Sequence, residues 1–184
     1  ACTWLGEGTS AQGDFHYGLN FASVYQAPCV LVVVNNQWAI STHRNLAHGG
    51  PSFAARGIPY NVASLRVDGQ DLLAVYAAHK WATERARAGH GPTLLEMYTY
   101  RGDSHSSSDD PSIYRPGDGY ENWPLGDPVD RLKAHLMKMG EWDDERHEAL
   151  EAQCKDEIIV AYKEAEKHGT LKDGPFPPVT TLFE

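Results

Sequence analysis

Apolar residues along this chain come in two alternating patterns. Residues 29–34 (Cys-Val-Leu-Val-Val-Val) and 92–98 are almost continuously apolar, as expected of strands buried on both faces of a parallel sheet. Between them the apolar positions take helical spacing. Residues 14–26 predict a helix with Leu19, Phe21, Ala22, Val24 and Tyr25 on its apolar side. Leu72, Val75, Tyr76, His79 and Ala82 predict a second helix that runs to Gly89 behind Asp71, a suitable N-cap. Residues 1–6 read as a strand entering a glycine turn, and 61–67 as a further strand with Val62, Leu65 and Val67 apolar. A short helix at Phe53, Ala54 and Ala55 is expected to stop near Gly57, before Pro59, and 41–50 reads as a polar loop. Residues 101–126 form a long loop rich in Arg, Gly, Ser, Asp and Pro, a length that in compact domains accompanies function or mobility. Helices follow over 128–139 and from Asp143, the latter with Leu150, Cys154, Ile158, Ala161, Tyr162 and Ala165 on one face. The order predicts an α/β fold, a mostly parallel sheet flanked by helices, with one domain over 1–170 and an extended proline-containing tail over 171–184. No internal repeat is visible.

Composition narrows the function classes. A chain of 184 residues is long enough for one substantial core, and 41% hydrophobic with 22% charged residues is ordinary for a globular protein. No run of eighteen apolar residues predicts a membrane span, and no signal peptide is expected at Ala1. A net charge of −9, from 25 acidic and 16 basic residues, argues against a nucleic-acid surface. Cys2, Cys29 and Cys154 lie far apart with no CxxC spacing, so reduced, buried thiols in a cytoplasmic compartment are expected.

The chemistry concentrates in residues 6–40, which read as glycine turn, helix, buried strand and polar loop. In such a βαβ unit the strand ends lie side by side at the edge where open α/β sheets bind ligands. The first end carries Gly6-Glu7-Gly8-Thr9-Ser10, a carboxylate between glycines that permit a tight turn and close ligand approach. Amides of Gly8, Thr9 and Ser10 are expected to open a helix whose positive end favours phosphate. The second end carries the amides of Asn35 and Asn36. Magnesium prefers about six oxygens and usually retains phosphate and water among them. Glu7, the Asn36 side chain and the Trp38 carbonyl offer three such oxygens for Mg2+ on a diphosphate. Other residues have plainer readings beside a functional one. His43 and His48 could ligate a metal or be exposed loop histidines, and Asp68 could be a metal carboxylate or a turn-stabilising residue. His105 stands in a serine-rich loop just past a strand end that should face the ligand, and imidazole exchanges protons near neutral pH. Gly6-x-Gly8-x-x-Ala11 also fits a dinucleotide-binding Rossmann turn. That reading wants an acid at the end of the second strand, where this chain has asparagines, and Glu7 would repel a pyrophosphate.

Four stretches carry a more specific resemblance: Asn35-Asn36-Gln37-Trp38-Ala39-Ile40-Ser41, Arg66-Val67-Asp68-Gly69-Gln70-Asp71, Tyr98-Thr99-Tyr100-Arg101 and His105-Ser106-Ser107-Ser108-Asp109-Asp110. With the Gly-acid-Gly turn they resemble the alpha subunit of the thiamine diphosphate-dependent 2-oxo acid dehydrogenases, nearest the branched-chain type, over residues 1 to about 170. The resemblance implies a thiamine diphosphate-binding fold, of which this chain would be the C-terminal part. It implies thiamine diphosphate and Mg2+ as cofactors, with Gly6, Glu7, Gly8, Thr9, Asn36, Trp38, Ala39, Ile40 and His105 at the cofactor and Glu7, Asn36 and Trp38 on the metal. His105 would assist catalysis and acyl transfer, Arg101, Asp109 and Tyr114 would tie the loop together, and Ser106 matches a position phosphorylated in mitochondrial relatives. A beta subunit would contribute the activating glutamate, and a lipoyl domain of the acyltransferase component would receive the acyl group from a hetero-oligomer. The reaction would be oxidative decarboxylation of a branched-chain 2-oxo acid, with pyruvate or acetoin as alternatives, in the cytoplasm or the mitochondrial matrix of a eukaryote. Two positions depart from the family pattern: Glu7 stands where Asp is usual, and Val34 where an arginine can meet the diphosphate. An N-terminal half with further cofactor contacts is expected to be missing, which would leave the chain inactive alone or a non-catalytic interaction module. The 101–126 loop is expected to be ordered by the cofactor, because its polar residues bury too little apolar area to offset about 1–2 kcal/mol per residue of backbone ordering.

Overall fold

A computed structural model describes residues 1–117 and 119–169, in two compact units, Ala1–Leu132 and a second beginning at Lys133. The first unit holds the sheet. Strand β1 (Cys2–Gly6) leads through a single 3-10 turn (Thr9–Ala11) into helix α1 (Gly13–Val24), and β2 (Val30–Asn35) follows. A two-stranded hairpin, β3 (Trp38–Ala39) and β4 (Thr42–His43), leads to the one-turn helix α2 (Arg44–Ala47). A 3-10 segment (Ala54–Tyr60) precedes β5 (Ala63–Asp68), then come α3 (Leu72–Arg87), β6 (Thr93–Tyr98) and α4 (Pro128–Lys138). The main sheet runs β1-β2-β6-β5, every pair parallel, with Gly6 beside Val34 and both Asn35 and Asp68 beside Tyr98. All four strands therefore end at one edge.

The two-residue period of a strand divides the core. Val30 and Val32 pack with Leu95, Met97, Val67, Ala78 and Ala82 on one face, and Val33 packs with Leu94, Phe15, Leu19, Phe53 and Val62 on the other. Each of the valine, leucine, methionine and phenylalanine side chains, fully buried, contributes roughly 1.5–3 kcal/mol. Asp71 caps α3 by accepting from the amides of Leu73 and Ala74, both at 3.0 Å. In the second unit Asp143 caps α5 (Asp144–Glu166) by accepting from the Arg146 amide at 2.8 Å. Lys133 pairs with Asp144 at 2.9 Å.

Several expectations require correction. On α1 only Phe15 and Leu19 are buried, while Phe21, Val24 and Tyr25 are exposed, with the rings of Phe21 and Tyr25 stacked. On α3 the buried line is Ala78, Ala82 and Ala86, because alanine lets the helix lie close to the sheet; Leu72 and Tyr76 face outward. The 3-10 segment runs through Pro59 to Tyr60 rather than ending near Gly57, since Pro59 is the second residue of a turn closed by the Asn61 amide on the Ile58 carbonyl at 3.1 Å, a position whose own amide is not used. Residues 41–50 are not a plain loop: Ile40, at φ +53°, turns the chain into the β3–β4 hairpin. The apolar residues assigned to one face of α5, Leu150, Ile158 and Tyr162 among them, are exposed. The cysteines are free, but Cys2 and Cys154 are exposed and only Cys29 is partly buried, where desolvation raises its thiol pKa. Among the described residues no helix is long and apolar enough to cross a membrane. The tail expected over 171–184 lies outside the described residues.

Candidate functional site

At the carboxyl edge of the sheet, Gly6, Glu7, Gly8, Thr9, Asn36, Trp38, Ala39, Ile40 and His105 line one cleft of about 440 Å³. These are the nine residues assigned to cofactor contact from the sequence, drawn from the β1 turn, the β2–β3 connection and the long loop. Glu7 is 1% exposed. Its Oε2 accepts from the Asn36 amide at 3.3 Å, which ties the acidic turn to the asparagine turn. Its other oxygen, Oε1, is buried with no hydrogen-bonding partner among the described residues. Burial pushes the Glu7 carboxyl above the usual range, although backbone amides and the Arg101 charge pull the other way. The Asn36 Oδ1 accepts from the Trp38 amide at 3.1 Å and keeps a second lone pair.

The two glycines act by approach, not by unusual dihedrals. Gly8 is in the right-handed helical region, but a Cβ there would come within 2.6 Å of the Ala39 Cβ. A Cβ on Gly6 would meet no protein atom within 4 Å, so the space above that backbone is open cleft. The expected helix N-terminus is not at this turn. Thr9–Ala11 forms a single 3-10 turn, Gln12 is extended and α1 starts at Gly13, so its dipole is not presented by the Gly8, Thr9 and Ser10 amides. Nor do both asparagines face the cleft. Adjacent residues at a strand end point opposite ways, and Asn35 is 0% exposed on the interior side.

Arg101 closes the loop side. Its amide donates to the Asn36 carbonyl at 3.1 Å, its guanidinium donates to the Ile40 carbonyl at 3.0 Å and the Trp38 carbonyl at 3.4 Å, and it also bonds the Tyr114 hydroxyl. Tyr114 donates to Asp109 Oδ2 at 2.6 Å, Asp109 accepts the His105 amide at 2.7 Å, and Arg101 lies 3.8 Å from the same oxygen. Arg101, Asp109 and Tyr114 thus meet in one cluster that holds His105 at the cleft. The Tyr114 hydrogen bond is the first of the causes that hold the Asp109 carboxyl below its ordinary value. Arg115 bonds the carbonyls of Arg101 and Gly102. The loop therefore has anchors of its own, beyond the bound cofactor expected to order it. Ser106 is exposed, its hydroxyl 3.3 Å from that of Ser108.

The alternative candidates serve the scaffold. His43 Nδ1 accepts the Asn45 amide and its ring packs edgewise on Trp38, while His48 stacks on Phe53 and bonds the Ser52 carbonyl and Arg56. Neither is a free loop histidine. Asp68 steadies its turn by accepting the Gln70 amide at 2.9 Å, and also pairs with Arg131 at 2.8 Å, a partner too distant in sequence to foresee. Two groups outside the cleft lining also went unforeseen, half-buried Arg56 and buried Glu96. Arg56 bonds the carbonyl and hydroxyl of Ser10, and Glu96 sits inside β6. A charged residue in an otherwise apolar strand was the available signal for Glu96.

At the far end of the loop Tyr120 bonds Asp127, which also accepts the Val129 amide at 2.8 Å and so caps α4. That bond pushes the Tyr120 pKa up to about 12. Asp127→Asn keeps the cap and removes the charge, so the Tyr120 ionisation is expected to return towards about 10. Tyrosinate absorbance, titrated against a Tyr120→Phe control, reads the change.

The donors that Glu7, Asn36 and Trp38 carry are oxygens, and among the described residues no three His, Cys, Asp or Glu side chains converge as a metal cluster. One buried carboxylate oxygen, one amide oxygen and one backbone carbonyl suit a hard cation that keeps other oxygens from a ligand or water. Fold and site together define an α/β domain with a cleft beyond the carboxyl ends of parallel strands. The chain belongs to the dehydrogenase E1 component family, whose model matches residues 1–173. It is 55% identical, over its whole length, to the 2-oxoisovalerate dehydrogenase subunit alpha of Pseudomonas aeruginosa, covering 45% of that protein. It is 43% identical to the pyruvate dehydrogenase E1 component subunit alpha of Acholeplasma laidlawii, covering 90% of this chain and 48% of the relative. Against the mitochondrial 2-oxoisovalerate dehydrogenase subunit alpha of Bos taurus it is 42% identical over 94% of this chain and 38% of the relative. The chain spans less than half the length of these relatives.

Proposed function

We propose that this chain is the part of a 2-oxo acid dehydrogenase alpha subunit that clamps the Mg2+-diphosphate end of thiamine diphosphate. The observation that carries the reading is Glu7 Oε1, a buried acidic oxygen without a partner among the described residues, on a residue that lines the cleft together with Asn36. A charge so desolvated is costly unless a cation meets it. Glu7, the Asn36 Oδ1 and the Trp38 carbonyl would hold the metal, Gly6 leaves room for the diphosphate against the backbone, and Gly8 lets Ala39 close on the turn. When bound, thiamine diphosphate supplies a nucleophilic carbon and an electron sink for decarboxylation. His105 is the proton-exchanging side chain on the cleft, positioned through its amide by Asp109.

The whole enzyme would oxidatively decarboxylate a branched-chain 2-oxo acid and pass the acyl group to a lipoyl domain. The relative at 55% identity supports the branched-chain substrate over pyruvate. A beta subunit would complete the site, and exposed Trp4 on edge strand β1 and Phe21, Val24 and Tyr25 on α1 suit a chain that is buried further in a hetero-oligomer. The compartment would be the cytoplasm, or the mitochondrial matrix in a eukaryote. Exposed Ser106, three residues from Asp109, is a site where a phosphate would repel that carboxylate. In the complete enzyme assembled with its beta subunit, Asn36→Ala is expected to weaken Mg2+-dependent thiamine diphosphate binding about 100-fold. Calorimetric affinity equal to that of the wild type would refute the clamp.

A further inference from the structure

Glu96 is 0% exposed, lies inside β6 and is not among the residues that line the cleft. Its Oε2 accepts the Ala54 amide at 2.9 Å, its Oε1 accepts the Asn35 Nδ2 at 2.7 Å, and the Arg66 Nε stands 3.6 Å from Oε1. Because both oxygens accept, Asn35 must turn its NH2 towards Glu96 and its Oδ1 the other way. That Oδ1 accepts from Gln37 twice, from the amide at 3.3 Å and from Nε2 at 3.0 Å. The Gln37 Nε2 also donates to the carbonyls of Asn35 at 3.1 Å and Thr99 at 3.2 Å. Gln37 has φ +76°, a conformation that non-glycine residues adopt at a cost and keep only where their surroundings fix it. It stands between Asn36 and Trp38, the two residues of this turn that offer oxygens to the cleft.

We propose that Glu96 is a positioning residue that, by fixing which way the Asn35 amide faces, locks Gln37 in its left-handed turn and so sets the Asn36 and Trp38 oxygens on the cleft. This rests on the clamp reading above for its consequence in binding, but not for the geometry.

The network gives a donor-and-acceptor test. In Glu96→Gln the new amide must keep its oxygen on the fixed Ala54 N–H. Its NH2 then faces Asn35, which flips and presents NH2 to the Gln37 donors. Asn35→Asp instead sets two acidic groups against each other. The double variant Asn35→Asp with Glu96→Gln restores every hydrogen bond from Ala54 to Gln37 and lacks only the half-exposed Arg66 ion pair, since the introduced carboxylate accepts from both neighbours. In the complete enzyme without cofactor, each single variant is expected to speed amide exchange at Gln37 and Trp38 about tenfold while β2 and β6 stay protected. Each is also expected to weaken Mg2+-dependent thiamine diphosphate affinity about tenfold. The double variant recovers both. Gln37→Met, which leaves Glu96 in place, reproduces the loosened turn. Unchanged exchange at 37 and 38 in the single variants, equal loosening of the whole sheet, or a double variant no better than the singles would overturn the assignment. A wild-type enzyme that binds no thiamine diphosphate would refute the clamp reading instead, while the exchange results still decide this one.

Discussion

Glu7→Gln is expected to weaken Mg2+-dependent thiamine diphosphate binding in the complete enzyme by more than about 100-fold, beyond what outer partners of a metal site usually cost. The same change is expected to stabilise the cofactor-free protein at neutral pH. Both effects come from one oxygen. Glu7 is buried, one carboxylate oxygen is satisfied by the Asn36 amide, and the other has no partner among the described residues. Glutamine keeps the first bond and the shape but removes the charge, so a cation loses its ionic ligand while the cofactor-free cleft loses a desolvated ion. The sign follows from the direction of the pKa shift. The native carboxyl sits above its unfolded value, so its contribution to stability is complete below the usual glutamate range and is lost as pH rises through the elevated value. Thermal melts of the cofactor-free wild type and variant should therefore converge at acid pH and separate towards neutrality. A variant that binds as the wild type does would sink the assignment of Glu7, whatever its melting temperature.

His105→Ala is expected to do the opposite: turnover falls about 10²- to 10⁴-fold, the range for loss of a general acid or base, while cofactor affinity stays close to the wild type. His105 lines the cleft with Glu7 and Asn36, and in the proposed clamp Glu7 and the asparagine turn would hold the diphosphate end. Its placement depends on the Asp109 anchor, so Asp109→Ala should lose part of the same activity through position alone. That anchor is held in its charged form by Tyr114, and because the Asp109 pKa is lowered, its contribution is present above the usual aspartate range and lost as pH falls through the depressed value. Steady-state kinetics beside a binding titration separate the two roles. Equal loss of affinity and turnover in His105→Ala would move this residue from proton chemistry to cofactor binding.

Much of this arrangement was legible in the residues. The apolar runs at 29–34 and 92–98 lie within one residue of β2 and β6, and Asp71 and Asp143 cap the helices they were read to start. The Gly-acid-Gly turn and the asparagine pair came together because parallel strands with short helical crossovers end at one edge. What failed depended on features that a linear pattern does not carry. Leu72 and Tyr76 had helical spacing, but packing distance to the sheet selected the alanine line instead. The β3–β4 hairpin turns on Ile40 at positive φ, which a β-branched residue does not advertise. The inward orientation of Asn35 was available from strand alternation, since its neighbour Asn36 takes the opposite side. The partners of Asp68 and Glu96 lie at Arg131 and at Asn35, Ala54 and Arg66, contacts that only the folded sheet creates.

The central claim is that this cleft holds a divalent cation on a diphosphate. It is tested most directly by calorimetric titration of thiamine diphosphate into the complete cofactor-free enzyme, once in magnesium buffer and once with magnesium removed by a chelator. Saturable binding at one site per alpha subunit with magnesium, and its loss in the chelator and in Glu7→Gln, is the predicted result. Binding of equal strength with and without magnesium would contradict the clamp, and no binding in either buffer would leave the chain as a non-catalytic module of the same fold.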